Sequence, residues 1–64
     1  MYKYFVSYNY AHGSSLGFGH TEISRGLKVR GIDDIRAIAR DIEGYFSHEK
    51  GSVTVLNFRL FDEE

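Results

Sequence analysis

The feature that most constrains this chain is the spacing of its tyrosines. Four of the five lie in the first ten residues, at Tyr2, Tyr4, Tyr8 and Tyr10, and Val6 fills the gap between them. Residues two apart on an extended strand point to the same face. The segment therefore predicts a strand with one aromatic face, which must be either core or contact surface. The positions of the opposite face are Lys3, Phe5, Ser7 and Asn9.

Length and composition limit how such a chain can become stable. Sixty-four residues form one domain, 1–64, and a domain of this size buries only about 60% of the surface of its unfolded chain. Small scaffolds usually add disulfides, a metal or self-association. The chain has no cysteine, which excludes disulfides and thiolate metal sites. Self-association is the remaining common route, and we expect a homo-oligomer.

Charge and hydropathy exclude two further classes. Eight basic and nine acidic residues give a net charge of −1, whereas a protein that binds duplex nucleic acid shows a basic field. A local basic pocket for a small phosphate ligand is still compatible with this charge. The chain shows no signal peptide and no long apolar run, so we expect no membrane partner and a cytoplasmic location.

Alternation and turn residues predict three strands. The first is Tyr2–Asn9, and Tyr10–Ser15 reads as a loop that carries Gly13. The second strand, around Leu16–Ser24, is expected to pair with the first as an antiparallel hairpin. The third is Ser52–Leu60, and we expect the acidic tail 62–64 to fray.

One helix is predicted between the second and third strands. Gly31 is the expected N-cap, with Asp34 reaching back to its amide, and the helix should end near Ser47 or His48. Glu43 is expected on the solvent side. The apolar residues that recur at helical spacing are Ile32, Ile35, Ile38, Ala39, Ile42, Tyr45 and Phe46.

The order β-β-α-β predicts an α+β fold. Its three-stranded antiparallel sheet has the order 2-1-3, with the helix on one face. Because tyrosine suits half-wet interfaces, we expect Tyr4 and Tyr8 on the face that the helix leaves uncovered. The reverse assignment stays open. Either way an apolar face remains, and such faces usually mark interaction sites. The residues expected beneath the helix are Phe5, Ser7, Leu56, Phe58 and Leu60.

Two segments carry candidate ligand-binding residues. The stretch Gly17-Phe18-Gly19-His20 can supply an anion-binding nest of amides, a stacking ring and an imidazole. Its structural alternative is a bulged start of the second strand. Arg25, Lys28 and Arg30 precede the helix, where they can hold phosphates or simply balance the acidic first helical turn.

The remaining candidates lie on the first and third strands. Asn57 and Arg59 place polar groups among apolar ones on the outward face of the third strand, which is typical of small-molecule pockets and also of a dimer seam. Tyr4 and Tyr8 are candidates for stacking on a base. The histidines show no metal-ligand spacing, and no nucleophile motif is present. We therefore expect no metal, no cofactor and no enzymatic activity.

Three segments together resemble a recurring type of small phage or prophage accessory protein. They are Lys3-Tyr4-Phe5-Val6-Ser7-Tyr8, Gly17-Phe18-Gly19 and Val53-Thr54-Val55-Leu56-Asn57-Phe58, with the amphipathic helix between the last two. Some phage proteins of similar size counter host defence, and one group sequesters nucleotide immune signals such as ADP-ribose derivatives. The resemblance covers nearly the whole chain but transfers no binding position.

Two functions from different classes follow. The first is a non-catalytic protein that sequesters a small nucleotide immune signal, an ADP-ribose derivative or a cyclic nucleotide, at oligomer interfaces. The second is an inhibitor or adaptor that docks on a host protein through its exposed sheet face or a sheet edge. The residues expected to bind a nucleotide ligand are Tyr4, Tyr8, Phe18, His20, Arg25, Arg30, Asn57 and Arg59.

Overall fold

The computed structural model describes residues 1–61 and confirms the predicted α+β architecture. The elements are β1 (Tyr2–His12), β2 (Ser15–Arg25), α1 (Ile32–Phe46) and β3 (Val53–Leu60). The strands form one antiparallel sheet in the order β2-β1-β3. The helix lies on one face of the sheet and is closest to β3. The predicted fraying of the acidic tail at 62–64 lies outside the described residues.

The hairpin of β1 and β2 is longer than its sequence indicates. Its pairing is regular from Tyr2↔Arg25 to His12↔Ser15, so that only two residues form the loop. Gly13 takes a φ of +61°, and a positive φ at the first loop position fits a type II′ turn. The predicted loop at Tyr10–Ser15 was therefore too long, because strand pairing continues up to the glycine.

The tyrosine face of β1 is the core, so the predicted assignment of the two faces of β1 was wrong. Tyr4, Val6 and Tyr8 are 3%, 0% and 5% exposed and pack with Ile38 and Ile42 of the helix. The Tyr4 hydroxyl accepts a hydrogen bond of 2.9 Å from the Val29 amide. Because that bond satisfies the buried polar atom, tyrosine is accommodated in a closed core.

A bulge in β3 explains why the predicted faces of several β3 residues were also wrong. Tyr8 pairs with Val55, whereas the neighbouring Ser7 pairs with Asn57, so Leu56 is an extra residue. A bulge shifts the alternation of side chains, so the residues that face the helix are Val53 and Val55 before the bulge and Phe58 after it. The prediction for Phe58 is confirmed, whereas Val53 and Val55 were expected on the other face. Leu56, expected in the core, is 53% exposed.

The helix matches its predicted bounds, but its ends pack less than predicted. Gly31 is the N-cap, as expected, and Ser47 ends the helix in a left-handed conformation. Ile38, Ala39 and Ile42, along the middle of the helix, are buried as predicted. The predicted core residues Ile32 and Tyr45, in the first and last turns of the helix, are 57% and 70% exposed.

Candidate functional site

The sheet face opposite the helix has no layer packed on it within residues 1–61, and we call it the open face. β1 and β2 contribute every second side chain to it, and β3 contributes side chains on either side of its bulge. Phe5, Leu16 and Phe18 are exposed there by 40%, 59% and 68%. Exposed apolar groups of this size, set among polar ones, are typical of a contact surface. The side chains of the open face are Lys3, Phe5, Ser7, Asn9, Ala11, Leu16, Phe18, His20, Glu22, Ser24, Thr54, Asn57 and Arg59.

Strand register orders the open face into rows across the sheet. Phe5 pairs with Glu22 on one side and with Arg59 on the other. In the next row Ser7 lies between His20 and Asn57. The Phe5 ring meets the His20 imidazole edge to face, with 5.7 Å between centroids. The centre of the face thus combines an aromatic pair with two opposite charges.

The eight residues predicted to bind a ligand separate into three places. Phe18, His20, Asn57 and Arg59 share the open face. Tyr4 and Tyr8 are buried on the other side of the sheet. The remaining two, Arg25 and Arg30, lie near the start of the helix. The structure therefore brings four of the eight together.

Neither glycine of the Gly17-Phe18-Gly19 segment forms the predicted amide nest. Both are extended strand residues opposite tyrosines, Gly17 across from Tyr10 and Gly19 across from Tyr8. The tyrosine rings lie over these glycines, and a Cβ at Gly19 would sit 2.8 Å from the Tyr8 hydroxyl. The alternative of a bulge is also wrong, because the pairing of β2 with β1 is unbroken. The glycines make room for rings.

The same tyrosines join an aromatic group at the end of the helix. Tyr10 stacks on His48 with 4.3 Å between ring centroids and a 24° angle between the planes. Tyr8 lies 6.5 Å from Phe46 in a near-parallel arrangement. Burial, and to a lesser extent the neighbouring Tyr10, raise the pKa of Tyr8. These aromatic rings cover the helix-facing side of β2, which lies farther from the helix than β3 does.

The basic segment before the helix is held by an acidic residue. The Arg25 guanidinium donates to Asp34 Oδ1 at 3.1 Å, and the Arg30 amide donates to Asp34 Oδ2 at 2.8 Å. Asp34 was predicted to reach the Gly31 amide and instead binds that of the preceding residue. Since the charge of Arg25 is already paired, a phosphate would have to compete with this carboxylate.

Glu43 was predicted on the solvent side of the helix, and this prediction was wrong. It is 5% exposed, and its Oε2 accepts bonds from Gly51 N–H at 2.9 Å, Val53 N–H at 3.1 Å and Arg40 at 2.9 Å. Burial raises the pKa of Glu43, but these hydrogen bonds and the Arg40 charge outweigh burial and hold the pKa below its usual value. One signal was present, because Glu43 follows the buried Ala39 by four residues and shares its helical face.

The two edges of the sheet differ in how their backbone groups are satisfied. The Ala11 amide donates to Ser52 and the Phe61 amide donates to Lys3. These bonds show that the backbone N–H and C=O groups of odd-numbered residues of β1 point toward β3, so those of even-numbered residues point toward β2. By register, Phe18, His20 and Glu22 then present their N–H and C=O groups outward.

The outer side of β2, which we call the free edge, is long and regular. It spans the 11 residues of Ser15–Arg25 with no proline, no lysine and no bulge, and no other strand pairs with it within residues 1–61. The edge at β3 is protected. Its 8 residues contain the bulge, and the Asn57 side-chain oxygen accepts the outward Phe58 N–H at 2.8 Å.

Comparisons with known proteins supply no relative. No family model, no curated protein and no solved structure matches this chain. Within the part of the chain that the structure describes, no three histidine or acidic side chains are grouped as metal ligands. In the same residues, no helix has the length and apolar character needed to cross a membrane.

Proposed function

We propose that this chain is a non-catalytic protein-binding module, an inhibitor or adaptor that adds a strand of its partner to the free edge of β2. The observation that supports this most is the contrast between the two edges of one sheet. An unpaired strand of this length is a template for another chain, and proteins usually block such edges unless they are used. Within residues 1–61, one edge is blocked and the other is not.

Side chains beside the free edge can give such docking its specificity. In β-strand addition, backbone hydrogen bonds supply affinity, and pockets for alternate side chains supply selectivity. Leu16 and Phe18 are exposed on the open-face side of β2. On the helix side, the Tyr8 and Tyr10 rings lie against the strand. A partner strand with apolar residues on both of its faces would meet Leu16 and Phe18 on one side of the sheet and the Tyr8 and Tyr10 rings on the other.

A proline at His20 tests this proposal, because it removes an outward N–H. Proline is tolerated on an edge strand where its missing N–H faces solvent. His20→Pro should therefore keep the β1 ladder and lose the partner. His20→Ala is the matched control, since it removes the same side chain and keeps the N–H. Both variants are used as bait in a lysate of the source cell, and captured proteins are compared quantitatively.

The expected result is one stoichiometric partner that His20→Ala retains and His20→Pro loses. The partner should also slow hydrogen exchange at the amides of Phe18, His20 and Glu22. Equal capture by the two variants, or protection confined to another surface, would contradict docking at the free edge. Circular dichroism of both variants establishes that they fold.

A second candidate is sequestration of a small nucleotide immune signal by a phage-type anti-defence protein. Four of the predicted ligand residues, Phe18, His20, Asn57 and Arg59, share the open face, which favours this candidate. An aromatic ring for the base, a guanidinium for phosphate and an amide for ribose are the groups that such a ligand needs. Tyr4 and Tyr8 lie on the buried side and do not take part.

Calorimetry with linear and cyclic ADP-ribose derivatives and cyclic dinucleotides tests the second candidate. Arg59→Ala should abolish the binding heat, whereas Arg30→Ala, a charge removed outside the open face, should leave it unchanged. Folded protein that gives no heat with any of these compounds removes the nucleotide from consideration. Docking at the free edge is unaffected by that outcome.

A further inference from the structure

The central row of the open face carries two opposite charges on either side of an aromatic ring. Glu22 on β2 and Arg59 on β3 both pair with Phe5 of β1, so they lie at the same level of the sheet. Within residues 1–61 neither takes part in an ion pair. Strand spacing of about 4.8 Å separates their backbones by roughly 10 Å, with the Phe5 ring between them. The row is therefore self-complementary: in a second copy of the chain turned to face it, the positive charge can lie opposite the negative charge of the first.

We infer that two copies of the chain pack open face to open face, around a two-fold axis parallel to β1. Such an axis keeps each residue at its level along the strand and exchanges the β2 side with the β3 side. Glu22 of each copy then faces Arg59 of the other, and Phe5 meets Phe5. In the next row His20 faces Asn57 of the other copy. Because sheets that pack face to face in this aligned manner cross at about 30°, the axis bisects that angle and runs only roughly parallel to each β1.

Charge distinguishes this axis from the other two-fold arrangement of the same faces. An axis across the strands, centred on the Phe5 row, would place Glu22 on Glu22 and Arg59 on Arg59. Like charges in direct opposition across an interface are costly. With the axis along β1, Lys3 is the charged residue of the open face, within residues 1–61, that lies opposite the same residue of the other copy. It lies at the end of the face, where its flexible side chain can turn to solvent.

The area of the face is sufficient for such a dimer. An 11-residue strand at about 3.3 Å per residue is about 36 Å long, and three strands are about 14 Å wide. Two faces would bury roughly 1,000 Å², the lower limit for a specific interface. The exposed Phe5 and Phe18 would lose contact with water. This adds apolar burial to a domain whose own hydrophobic core is small. The free edge of β2 lies in the plane of the sheet and stays accessible.

Reciprocal charge reversal provides the test. Wild-type protein is examined by sedimentation equilibrium from micromolar to millimolar concentration, and a dimer of the 7.4 kDa chain is expected. Glu22→Arg places two guanidinium groups in opposition across the interface, and Arg59→Glu places two carboxylates in opposition. Each single variant should dimerise roughly tenfold more weakly or worse. The double variant, which exchanges the two charges, should recover the wild-type dissociation constant.

Two further measurements complete the test. An equimolar mixture of the two single variants should form a heterodimer, because each guanidinium pair and each carboxylate pair is then replaced by opposite charges. Arg36→Glu is the control, since it reverses an exposed charge on the helix and should leave dimerisation unchanged. A wild-type chain that stays monomeric at millimolar concentration would overturn the inference. Single variants that dimerise as well as wild type would also overturn it, as would a double variant that does not recover.

Discussion

The two flanks of this sheet are held in place by different means. On the β3 flank the helix packs closely, the Glu43 carboxylate binds the start of the strand, and Asn57 covers an edge amide. On the β2 flank the Tyr8 and Tyr10 rings lie over two glycines, and the outer backbone groups are unpaired within residues 1–61. One flank is closed by polar bonds and the other is filled by rings.

This difference indicates where stability and where binding are concentrated. A buried carboxylate with three donors is costly to disturb, so the β3 flank is suited to holding the fold. An open strand that is supported from one side can accept another strand without rearrangement. The flank that lies farther from the helix is thus the one available to a partner.

The largest effect is expected from removal of the Glu43 carboxylate. Glu43→Ala leaves the Gly51 and Val53 amides and the Arg40 guanidinium without their acceptor, and we expect a loss of about 3 kcal/mol in the free energy of unfolding. Glu43→Gln keeps one acceptor oxygen, so its free energy of unfolding should fall by less. Urea denaturation at neutral pH measures both. Equal stability of Glu43→Ala and wild type would show that the carboxylate does not hold β3.

The same carboxylate predicts a dependence of stability on pH. The folded state holds the pKa of Glu43 below the ordinary value of 4.5. Its contribution is therefore complete above pH 4.5 and is lost as the pH falls through the lowered pKa. The stability difference between wild type and Glu43→Gln should narrow over this acid range. A difference that stays constant from neutral pH to below that range would contradict the pKa direction.

The next effect concerns the rings on the β2 flank. Gly19→Val places a side chain where the Tyr8 ring lies, and displacement of this buried ring should cost about 2 kcal/mol. Ser24→Val is the matched control, because it adds the same strand-favouring residue to an exposed position of β2. Thermal unfolding of both variants provides the comparison. If Gly19→Val is as stable as Ser24→Val, the glycine is not needed to receive the ring.

The smallest effect on stability is expected at Asn57. Asn57→Ala removes the oxygen that covers the exposed Phe58 amide, and its effect on unfolding should be within about 0.5 kcal/mol. Its consequence is instead an additional unblocked edge amide. Hydrogen exchange at Phe58 should become faster in this variant, while β2 keeps its rates. An unchanged rate at Phe58 would argue that the bulge alone protects this edge.

The sequence predicted the architecture because its signals there are local. Alternation in β1, the glycine turn and the spacing of the helical isoleucines each indicate one element, and their order leaves few arrangements. The faces could not be assigned in the same way. Burial of Tyr4 depends on the distant Val29 amide, and burial of Tyr8 depends on a glycine across the strand.

The candidate site was predictable only in part, for related reasons. Asn57 and Arg59 were correctly expected on the face away from the helix, although the bulge at Leu56 changes which of their neighbours share it. The free edge of β2 is a property of pairing, and no single residue signals it. Glu43 resembles an ordinary helix surface residue until the turn before β3 brings two amides to it.

Amide hydrogen exchange along β2 in the isolated protein tests the central claim most directly. We expect alternation, with fast exchange at Phe18, His20 and Glu22 and slow exchange at the residues between them, whose amides bond to β1. Dimerisation through the open face leaves this alternation in place, since it pairs no backbone groups. Uniformly slow exchange along β2 would contradict a free edge, because it would mean that the edge is already paired.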